Sequence, residues 1–487
     1  MLRLTDPPAA PSPRTCYRTQ HRAPKQLTFL QTLIADANIG RSSRWIVLRG
    51  GSRTPARRPL ADAVKLRINA LLRIISLSTQ QNLVIVGGCG HVGLPLGIVL
   101  ASRGLSVSLL DIDAAKVEKI NSGQMPFREA GAEPVLRQVL GKTLAATTDS
   151  QCLRSADIVI TVVGTPVDRH LNPTVNELYQ SVDGMLQYIN DGTLLILRST
   201  VSPGVTKLVY QRIKSLGRDI DLAFCPERIA EGNAMEELVK LPQIVSAFEP
   251  VALRRARELF LTIASTVIEL SPLEAELAKL FTNSWRYLNF AISNQFYMLA
   301  ETYGLDFYRI HDAVTREYPR MRSFARAGFA AGPCLLKDTL QLSAFSGNHF
   351  FLGHAAMLVN EGLPDFVVTQ MRPLGLADKT VAILGMAFKG ESDDNRDSLS
   401  YKLKKLLEVE AKEVLCTDPY VPDPRLVPLS EALSRAQIFV LGAPHAAYRD
   451  LQIPADKIVV DIWDYWPERQ GESPQPPVPV AAGGTRP

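Results

Sequence analysis

Short apolar runs rich in β-branched residues alternate with helix-like stretches from residue 82 onward. Six runs in the first half predict strands: Leu83 to Gly87, Val107 to Leu110, Asp157 to Val163, Thr193 to Leu197, Ile220 to Phe224 and Thr266 to Leu270. The stretch from His91 to Arg103, between the first two, predicts a helix. Strands that alternate with helices indicate βαβ units and therefore a parallel, doubly wound sheet.

The apolar period changes from strand to helix after residue 271. Pro272 to about Gly304 predicts one long helix, and residues 305–372 stay largely helical up to a linker marked by Pro373 and Gly375. A second α/β unit follows, with strands predicted at Thr380 to Leu384, Glu413 to Cys416, Ile438 to Leu441 and Ile458 to Asp461. The expected fold class is α/β, with two Rossmann-like doubly wound domains joined by a central helical domain that has one long helix.

These changes in pattern divide the chain into five segments. They are a basic extension at 1–80, a first α/β domain at 81–270, a central helical domain at 271–373, a second α/β domain at 374–470 and a Pro/Gly-rich tail at 471–487. The extension and the tail are expected to be disordered.

The positive charge of the chain is concentrated in its extension. The 487 residues have a formal net charge of +5, yet residues 1–80 hold 14 basic and three acidic residues, which leaves 40 basic and 46 acidic residues for the remainder. The Arg-rich extension, with an amphipathic helix predicted over 61–77, is typical of a transit peptide and would also suit a loose contact with nucleic acid or an anionic membrane. The plainer interpretation is a disordered extension, so bulk charge says little about the function of the main body.

The sequence lacks the features of a membrane-spanning, disulfide-rich or zinc-binding protein. No apolar run reaches the 18 or so residues that a membrane-spanning helix needs. The six cysteines are scattered, with no C-x-x-C pair and no His cluster at zinc spacing. We therefore expect a reducing, cytoplasmic compartment, no disulfide framework and no metal.

A glycine-rich turn directly follows the first predicted strand. Gly88, Gly90 and Gly93 fit the pattern G-x-G-x-x-G, with Val92 inside the loop, and Asp111 ends the next strand 18 residues after Gly93. The glycines permit a tight turn, close approach of a pyrophosphate and close helix packing, while the acidic residue accepts hydrogen bonds from ribose hydroxyls. An acid at this position repels a 2′-phosphate, which favours NAD over NADP. The alternative is that the glycines serve the turn alone.

Polar residues cluster just beyond the later strands. Thr165 follows the third strand, Ser199 and Thr200 the fourth, and Glu227 the fifth. Because ligands bind at the carboxyl ends of parallel strands, these residues together predict a lined cleft, although any one of them could be a turn former.

The helical region carries a second group of reactive residues. Lys279 and Asn283 are four residues apart and project from one helix face, where a solvated surface pair is the alternative. Cys334 lies among small residues and is followed by Lys337 and Asp338. A nearby ammonium would favour the thiolate below the free cysteine pKa of about 8.5, which predicts an accessible, activated thiol.

With these residues, the chain resembles the nucleotide-sugar 6-dehydrogenases, the family of UDP-glucose, UDP-N-acetylhexosamine and GDP-mannose dehydrogenases. The resemblance runs from about Asn82 to Trp466 and leaves residues 1–80 outside it. The matching motifs occur in order: the glycine loop, Gly164-Thr165-Pro166, Arg198-Ser199-Thr200, Pro226-Glu227-Arg228, Glu276-Leu-Ala-Lys279 with Asn283, Cys334 to Asp338, and Gly385-Met-Ala-Phe-Lys389 leading to Asp393-Asp394-x-Arg396.

The resemblance implies a four-electron oxidation that converts a carbon-6 alcohol into a carboxylate with two NAD reduced. Cys334 would be the nucleophile, forming a thiohemiacetal and then a thioester that water hydrolyses. Lys279 would stabilise oxyanions or transfer protons, with Asn283 and Asp338 positioning the water. Thr200 and Glu227 complete the implied catalytic set.

The resemblance also implies contacts to both ligands. The cofactor contacts beyond the glycine loop and Asp111 map to Lys116, Thr165, Thr200, Glu231, Lys337 and Arg396. The substrate contacts map to Glu227, Arg228, Lys279, Asn283, Gly328, Gly332 and Lys389. The second α/β domain would bind the UDP-sugar, and the long central helix would form the core of a homodimer or a higher homo-oligomer. Neither nucleic acid nor a membrane is an expected partner of the main body.

The loop before the cysteine departs from the family pattern. Relatives usually have G-x-G-x-G-G-x-C, whereas here Ala330 and Ala331 replace two of the small flexible positions, and Pro333 directly precedes Cys334. Arg228 is typical of UDP-N-acetylhexosamine enzymes, while the pair Lys337 and Asp338 is more typical of the UDP-glucose and GDP-mannose branches. The expected substrate is therefore UDP-N-acetylhexosamine or UDP-glucose.

Two other functions stay open at this point. A two-electron β-hydroxyacid-type dehydrogenase also combines a glycine loop with a Lys-x-x-x-Asn helix, but it would need neither Cys334 nor the second α/β domain. A non-catalytic protein that binds a nucleotide or nucleic acid is the other alternative.

Overall fold

The computed structural model describes residues 81–164, 174–329, 332 and 334–466. The helix predicted over 61–77, the rest of the extension, Thr165 and the tail lie outside the described residues. None of the helices that the structure describes is long and apolar enough to cross a membrane.

Strands and helices alternate between residues 82 and 270. The strands are β1 (Asn82–Val86), β2 (Ser106–Leu110), β3 (Leu144–Thr147), β4 (Ile158–Thr161), β5 (Leu194–Leu197), β6 (Asp221–Phe224), β7 (Gln243–Ala247) and β8 (Val267–Leu270). The helices are α1 (Gly93–Ser102), α2 (Ala114–Asn121), α3 (Ala132–Val139), α4 (Val175–Leu186), α5 (Val205–Ser215), α6 (Ala234–Lys240) and α7 (Pro250–Leu261).

These strands form one sheet in the order β3-β2-β1-β4-β5-β6-β7-β8. The strand order reverses between β1 and β4, so a crevice opens beyond their carboxyl ends, where ligands bind in doubly wound sheets. All neighbouring strands are parallel except β6 and β7, which pair antiparallel. The sequence pattern did not predict β3 or β7, and the parallel, doubly wound sheet that it predicted has this one antiparallel pair.

The sheet is buried on both faces. β4, β5 and β6 have no exposed residue, which explains their continuous apolar sequences. One apolar cluster packs α1, α3 and α7 against one face, and a second packs α4 and α5 against the other. The rigid sheet fixes the loops that follow β1, β5 and β6.

The central region consists of helices. They are α8 (Pro272–Thr302), α9 (Phe307–Thr315), α10 (Leu335–Phe345) and α11 (Phe351–Met371). A capping box between Ser271 and Glu274, with Pro272 in the first turn, starts the long helix α8 where the sequence predicts it.

The last described region has a smaller parallel sheet in the order β10-β9-β11-β12. Its elements are β9 (Thr380–Leu384), α12 (Leu399–Glu410), β10 (Glu413–Thr417), α13 (Leu429–Arg435), β11 (Ile438–Leu441) and β12 (Ile458–Val460). Asp418 follows β10 and is fully buried with His445, whose Nε2 lies 3.1 Å from the Asp418 carboxylate.

Asp418 makes a pH-dependent contribution to stability. Although burial raises its pKa, hydrogen bonding and the nearby charge of His445, together with backbone N–H donors, lower the pKa to about 2. A carboxylate with a depressed pKa stabilises the fold above its unfolded pKa, and this stabilisation is lost as the pH falls towards 2.

We predict that Asp418→Asn lowers the free energy of unfolding by about 2 kcal/mol at pH 7 and by less near pH 3. Urea unfolding at the two pH values, followed by tryptophan fluorescence, measures this difference. Asp378→Asn, at an exposed position, is the control. An equal loss at both pH values would contradict the prediction.

Candidate active site

Three polar side chains lie on one buried face of helix α8. Glu276, Lys279 and Asn283 are spaced three and four residues apart, which places them on adjacent turns of one face. All three are at most 4% exposed. Since buried polar groups need partners, each of them identifies a segment that the helix holds.

Glu276 attaches the helix to the loop after β5. Its carboxylate accepts hydrogen bonds from the backbone N–H groups of Gly204 (2.6 Å) and Thr206 (2.8 Å), at the beginning of α5. A carboxylate at a helix amino end is favourable because it satisfies free N–H groups. This contact anchors the segment that carries the half-buried Thr200. Glu276 begins the motif Glu276-Leu-Ala-Lys279, but no role was predicted for it from the sequence.

Lys279 attaches the helix to the loop after β6. Its Nζ donates to Glu227 Oε1 at 2.8 Å, and the two side chains are 4% and 13% exposed. The other carboxylate oxygen of Glu227 accepts from the backbone N–H of Ile229 at 2.9 Å. A buried pair of this kind fixes both groups, because either charge alone would be costly to bury.

Asn283 attaches the helix to the cysteine segment. Its Nδ2 donates to Asp338 Oδ2 at 2.6 Å, and Lys337 donates to the other oxygen of Asp338. Cys334 is the residue that caps the amino end of α10, four residues before Asp338. The structure thus brings together Cys334, Lys279, Asn283, Asp338 and Glu227, which the sequence analysis predicted as one site.

The prediction that the Cys334 thiol has a lowered pKa is wrong. Cys334 is exposed at the helix terminus, yet the protein atoms around its thiol reduce its hydration and raise its pKa to about 11. The carboxylate of Asp338 raises the pKa further, and the opposing effects of Lys279 and Lys337 do not compensate. The nearby lysine could be identified from the sequence, whereas the packing of protein atoms around the thiol could not.

The glycine turn after β1 has the geometry that a dinucleotide requires. A Cβ at Gly88 would lie 2.7 Å from the Ile85 carbonyl, and one at Gly93 would lie 2.7 Å from the Gly87 carbonyl, so both positions exclude any side chain. At Gly90, by contrast, the nearest atom would be 3.7 Å away, which leaves the backbone open to an approaching ligand.

Asp111 lies beside this turn, as expected. Its Oδ2 accepts from the Cys89 N–H at 2.9 Å and its Oδ1 from the Asp113 N–H at 3.2 Å. Lys116, in the first turn of α2, lies 3.5 Å from Asp113. The glycine turn, with Val92 before α1, and the acidic residue together fit an adenosine diphosphate moiety, the part of NAD that such turns hold.

A cluster of charged residues joins the glycine turn to the last region of the chain. Arg396 makes a bidentate contact with Asp394, at 2.6 to 3.0 Å, and lies 3.6 Å from Glu231. His91 in the glycine loop lies 4.0 Å from Glu231. Burial raises the pKa of Glu231 to about 7, with Asp394 adding to the effect. Lys389 donates to the Glu231 backbone carbonyl.

Three predicted substrate residues have structural partners of their own. The Arg228 guanidinium donates to the Pro242 carbonyl. Gly328 N–H donates to Asn294 Oδ1 at 2.9 Å, and Gly332 is covered by Phe388. Ala330, Ala331 and Pro333 lie outside the described residues.

Arg198 is a residue that the sequence analysis quoted without a role. It is fully buried and donates to the Cys225 carbonyl and to Gln243 Oε1, both at 3.1 Å. Its guanidinium lies over the Phe260 ring and is attracted by Glu227. The sequence feature that points to Arg198 is a charged residue directly after a wholly apolar strand. Its position next to the segment of Glu227 becomes visible only once the strands are assembled into the sheet.

Three domain models of one family match the chain in order. They are described as the NAD binding domain, the central domain and the UDP binding domain of the UDP-glucose/GDP-mannose dehydrogenase family, and they match residues 81–264, 273–361 and 382–468.

Individual proteins are similar over the same part of the chain. UDP-N-acetyl-D-mannosamine dehydrogenase of Pyrococcus horikoshii is 28% identical over 381 residues, covering 76% of this chain and 90% of that protein. NDP-N-acetyl-D-galactosaminuronic acid dehydrogenase of Ralstonia nicotianae is 26% identical over 407 residues, covering 78% and 95%.

Solved structures have the same fold. The UDP-D-ManNAc dehydrogenase from Pyrococcus horikoshii aligns with a TM-score of 0.73 and 27% identity, covering 79% of this chain and 96% of that one. A UDP-glucose dehydrogenase from Pyrobaculum islandicum aligns with a TM-score of 0.74 and 25% identity, covering 82% and 98%.

We predict that Asp338→Asn speeds alkylation of Cys334 by iodoacetamide at pH 8, because the pKa of the thiol falls when the nearby negative charge is removed. The rate should rise about tenfold for each unit by which the pKa falls. Mass spectrometry of the Cys334 peptide measures it. Lys279→Met is the opposing control and should slow the reaction. An unchanged or slower rate in Asp338→Asn would count against this electrostatic account.

Proposed function

The chain belongs to the UDP-glucose/GDP-mannose dehydrogenase family, and from this premise we propose that it oxidises the carbon-6 alcohol of a UDP-sugar to the carboxylate in two successive two-electron steps. It is an NAD-dependent oxidoreductase of the nucleotide-sugar dehydrogenase type. The observation that carries the four-electron proposal is the placement of Cys334 beside Lys279, Asn283 and Asp338, because a two-electron alcohol oxidation needs no cysteine.

Bound NAD would accept one hydride from carbon 6 in each of the two oxidations. The glycine turn from Gly88 to Gly93 and Asp111 would hold its adenosine half, and Lys116, Lys337 and Arg396 are proposed as further contacts. Thr165 completes this proposed set, and Thr200 and Glu231 would lie beside the cofactor as well.

Cys334 captures the aldehyde that the first oxidation produces. The sulfur adds to the carbonyl carbon as the carbonyl π bond breaks, and the thiol proton ends on the carbonyl oxygen, which gives the thiohemiacetal. Lys279, oriented by Glu227, would stabilise negative charge on the oxygen.

The second oxidation converts the thiohemiacetal into a thioester, which water hydrolyses to release the carboxylate and the free thiol. Asn283 and Asp338 are hydrogen-bonded to each other beside Cys334, and we propose that they position this water. Overall, one alcohol, two NAD and one water yield one carboxylate, two NADH and three protons.

The proposed substrate is a UDP-N-acetylhexosamine, with UDP-glucose as the alternative. The support is that several similar proteins are named UDP-N-acetyl-D-mannosamine dehydrogenases and that the last region matches a UDP binding domain. Arg228, Gly328, Gly332 and Lys389 are proposed to contribute to substrate binding.

We predict two NADH per nucleotide sugar consumed when the full chain is tested on a panel of UDP- and GDP-sugars. Absorbance at 340 nm counts NADH, and chromatography identifies the uronate. Cys334→Ser should block formation of the acid because a serine side chain cannot form the thioester intermediate. A ratio of one with release of the aldehyde would instead favour a two-electron enzyme.

A homodimer formed through α8 is the proposed assembly. Phe281 and Trp285 on this helix are 55% and 59% exposed, an unusual position for large aromatic side chains. Light scattering should give twice the mass of one chain, and Trp285→Glu should shift the species towards the monomer. A wild-type chain that is monomeric at micromolar concentration would contradict the proposal.

A further inference from the structure

The loop before Cys334 contains glycines whose conformations other residues rarely adopt. Gly328 has φ +154° and Gly332 has φ +108°. Each lies under an aromatic ring from the last region of the chain. A Cβ at Gly328 would overlap the six-membered ring of Trp463, and one at Gly332 would lie 2.7 Å from Phe388 Cδ2. The missing side chains therefore let two rings pack directly on the backbone of the cysteine loop.

The two aromatic residues are hydrogen-bonded within the last region of the chain. The Trp463 Nε1–H donates to the Leu441 carbonyl at 3.1 Å, and its backbone N–H donates to Asp461 at 3.0 Å. The backbone N–H of Phe388 donates to the Asp394 carbonyl at 2.9 Å. Both residues thus belong to the region that matches the UDP binding domain, and the Trp463 ring is fixed there by its own hydrogen bond.

The chain just before Gly328 is fixed by the same segment. Arg326 forms an ion pair with Asp464, and the Tyr308 hydroxyl donates to the Ile462 carbonyl at 2.7 Å. From the other side, Asn294 on α8 accepts from the Gly328 N–H, and Asn294 is in turn bonded to the buried Asn360 at 2.9 Å. Gly328 and the residues just before it are therefore held between the long helix and the segment Asp461–Trp466.

We propose that Trp463 and Phe388 are positioning residues that hold the cysteine loop so that the Cys334 thiol can capture the aldehyde. This inference rests on the proposed function of Cys334. Neither ring has to touch the reacting atoms, because each acts through a glycine of the loop. Misplacing a reacting group by about 1 Å can slow a reaction about 100-fold, so loss of a ring should impair the thiol-dependent half of the reaction most.

The experiment compares Trp463→Leu with Trp466→Leu in the full chain. Trp466 is a matched control because it belongs to the same segment, is buried and donates its indole N–H to a backbone carbonyl, that of Tyr448 at 2.9 Å. It packs within the apolar core of the last region. NADH per sugar, release of aldehyde trapped by a hydrazide, and oxidation of the 6-aldehyde supplied directly are measured for each variant.

Trp463→Leu should oxidise the supplied aldehyde about 100-fold more slowly and release aldehyde from the alcohol, so that NADH per sugar falls from two towards one. Trp466→Leu should stay near two. Phe388→Leu, which removes the other ring, should behave like Trp463→Leu, and Trp463→Phe should recover part of the rate. A ratio of two for Trp463→Leu, with aldehyde oxidation within twofold of that of Trp466→Leu, would overturn the proposal.

A second measurement separates this inference from the proposed function. Alkylation of Cys334 at pH 9 requires no substrate and reports the surroundings of the thiol directly. Trp463→Leu should change its rate at least about fivefold relative to wild type, whereas Trp466→Leu should not. Equal rates in all three proteins refute the positioning role, whatever the wild-type NADH ratio is. If the wild-type ratio is not two, the four-electron proposal fails independently. Thermal unfolding shows whether each variant is folded, and Phe388→Leu, for which the same outcomes are expected, replaces Trp463→Leu if that variant is not.

Discussion

The buried polar face of helix α8 is the constraint on which the site depends. Glu276 holds the loop after β5, Lys279 holds the loop after β6 and Asn283 holds the segment of Cys334. None of these groups can be left without its partner at such burial, since an unpaired buried charge is costly. The relative positions of a sheet edge and a cysteine from different regions of the chain are therefore determined by three side chains on two turns of one helix.

The sequence pattern predicts correctly those parts of the fold that depend on residues close together in the chain. The glycine turn and Asp111 follow from a strand, a turn and a helix that are adjacent in sequence, and the capping of α8 follows from Ser271, Pro272 and Glu274. The strands β3 and β7 were missed. β3 is a short run, Leu-Ala-Ala-Thr, in which buried and more exposed residues alternate, and β7 begins with the buried polar residue Gln243, which hydrogen-bonds to Arg198.

The site itself was only partly predictable, because its electrostatics depend on distant segments. Cys334 is near two lysines in sequence and in space, yet burial and Asp338 determine its pKa. The buried Arg198, the contact between Glu276 and Gly204, and the rings over Gly328 and Gly332 each join residues that are separated by more than 25 positions. The hydrophobic pattern within a single segment cannot predict contacts between residues that are so far apart in the chain.

The burial of Asp418 bears on how one chain could complete two oxidations. Asp418 follows the second strand of its sheet's βαβ unit, as Asp111 does in the larger sheet, but its carboxylate already accepts from five donors, four backbone N–H groups and His445. It is therefore not free to accept from a ribose, and among these two aspartates only Asp111 is placed for an adenosine. In the proposed reaction NAD binds beside Asp111, so the first reduced cofactor has to be exchanged for an oxidised one before the second oxidation. The covalent bond to Cys334 that we propose would then be a tether that retains the reactive aldehyde during the exchange.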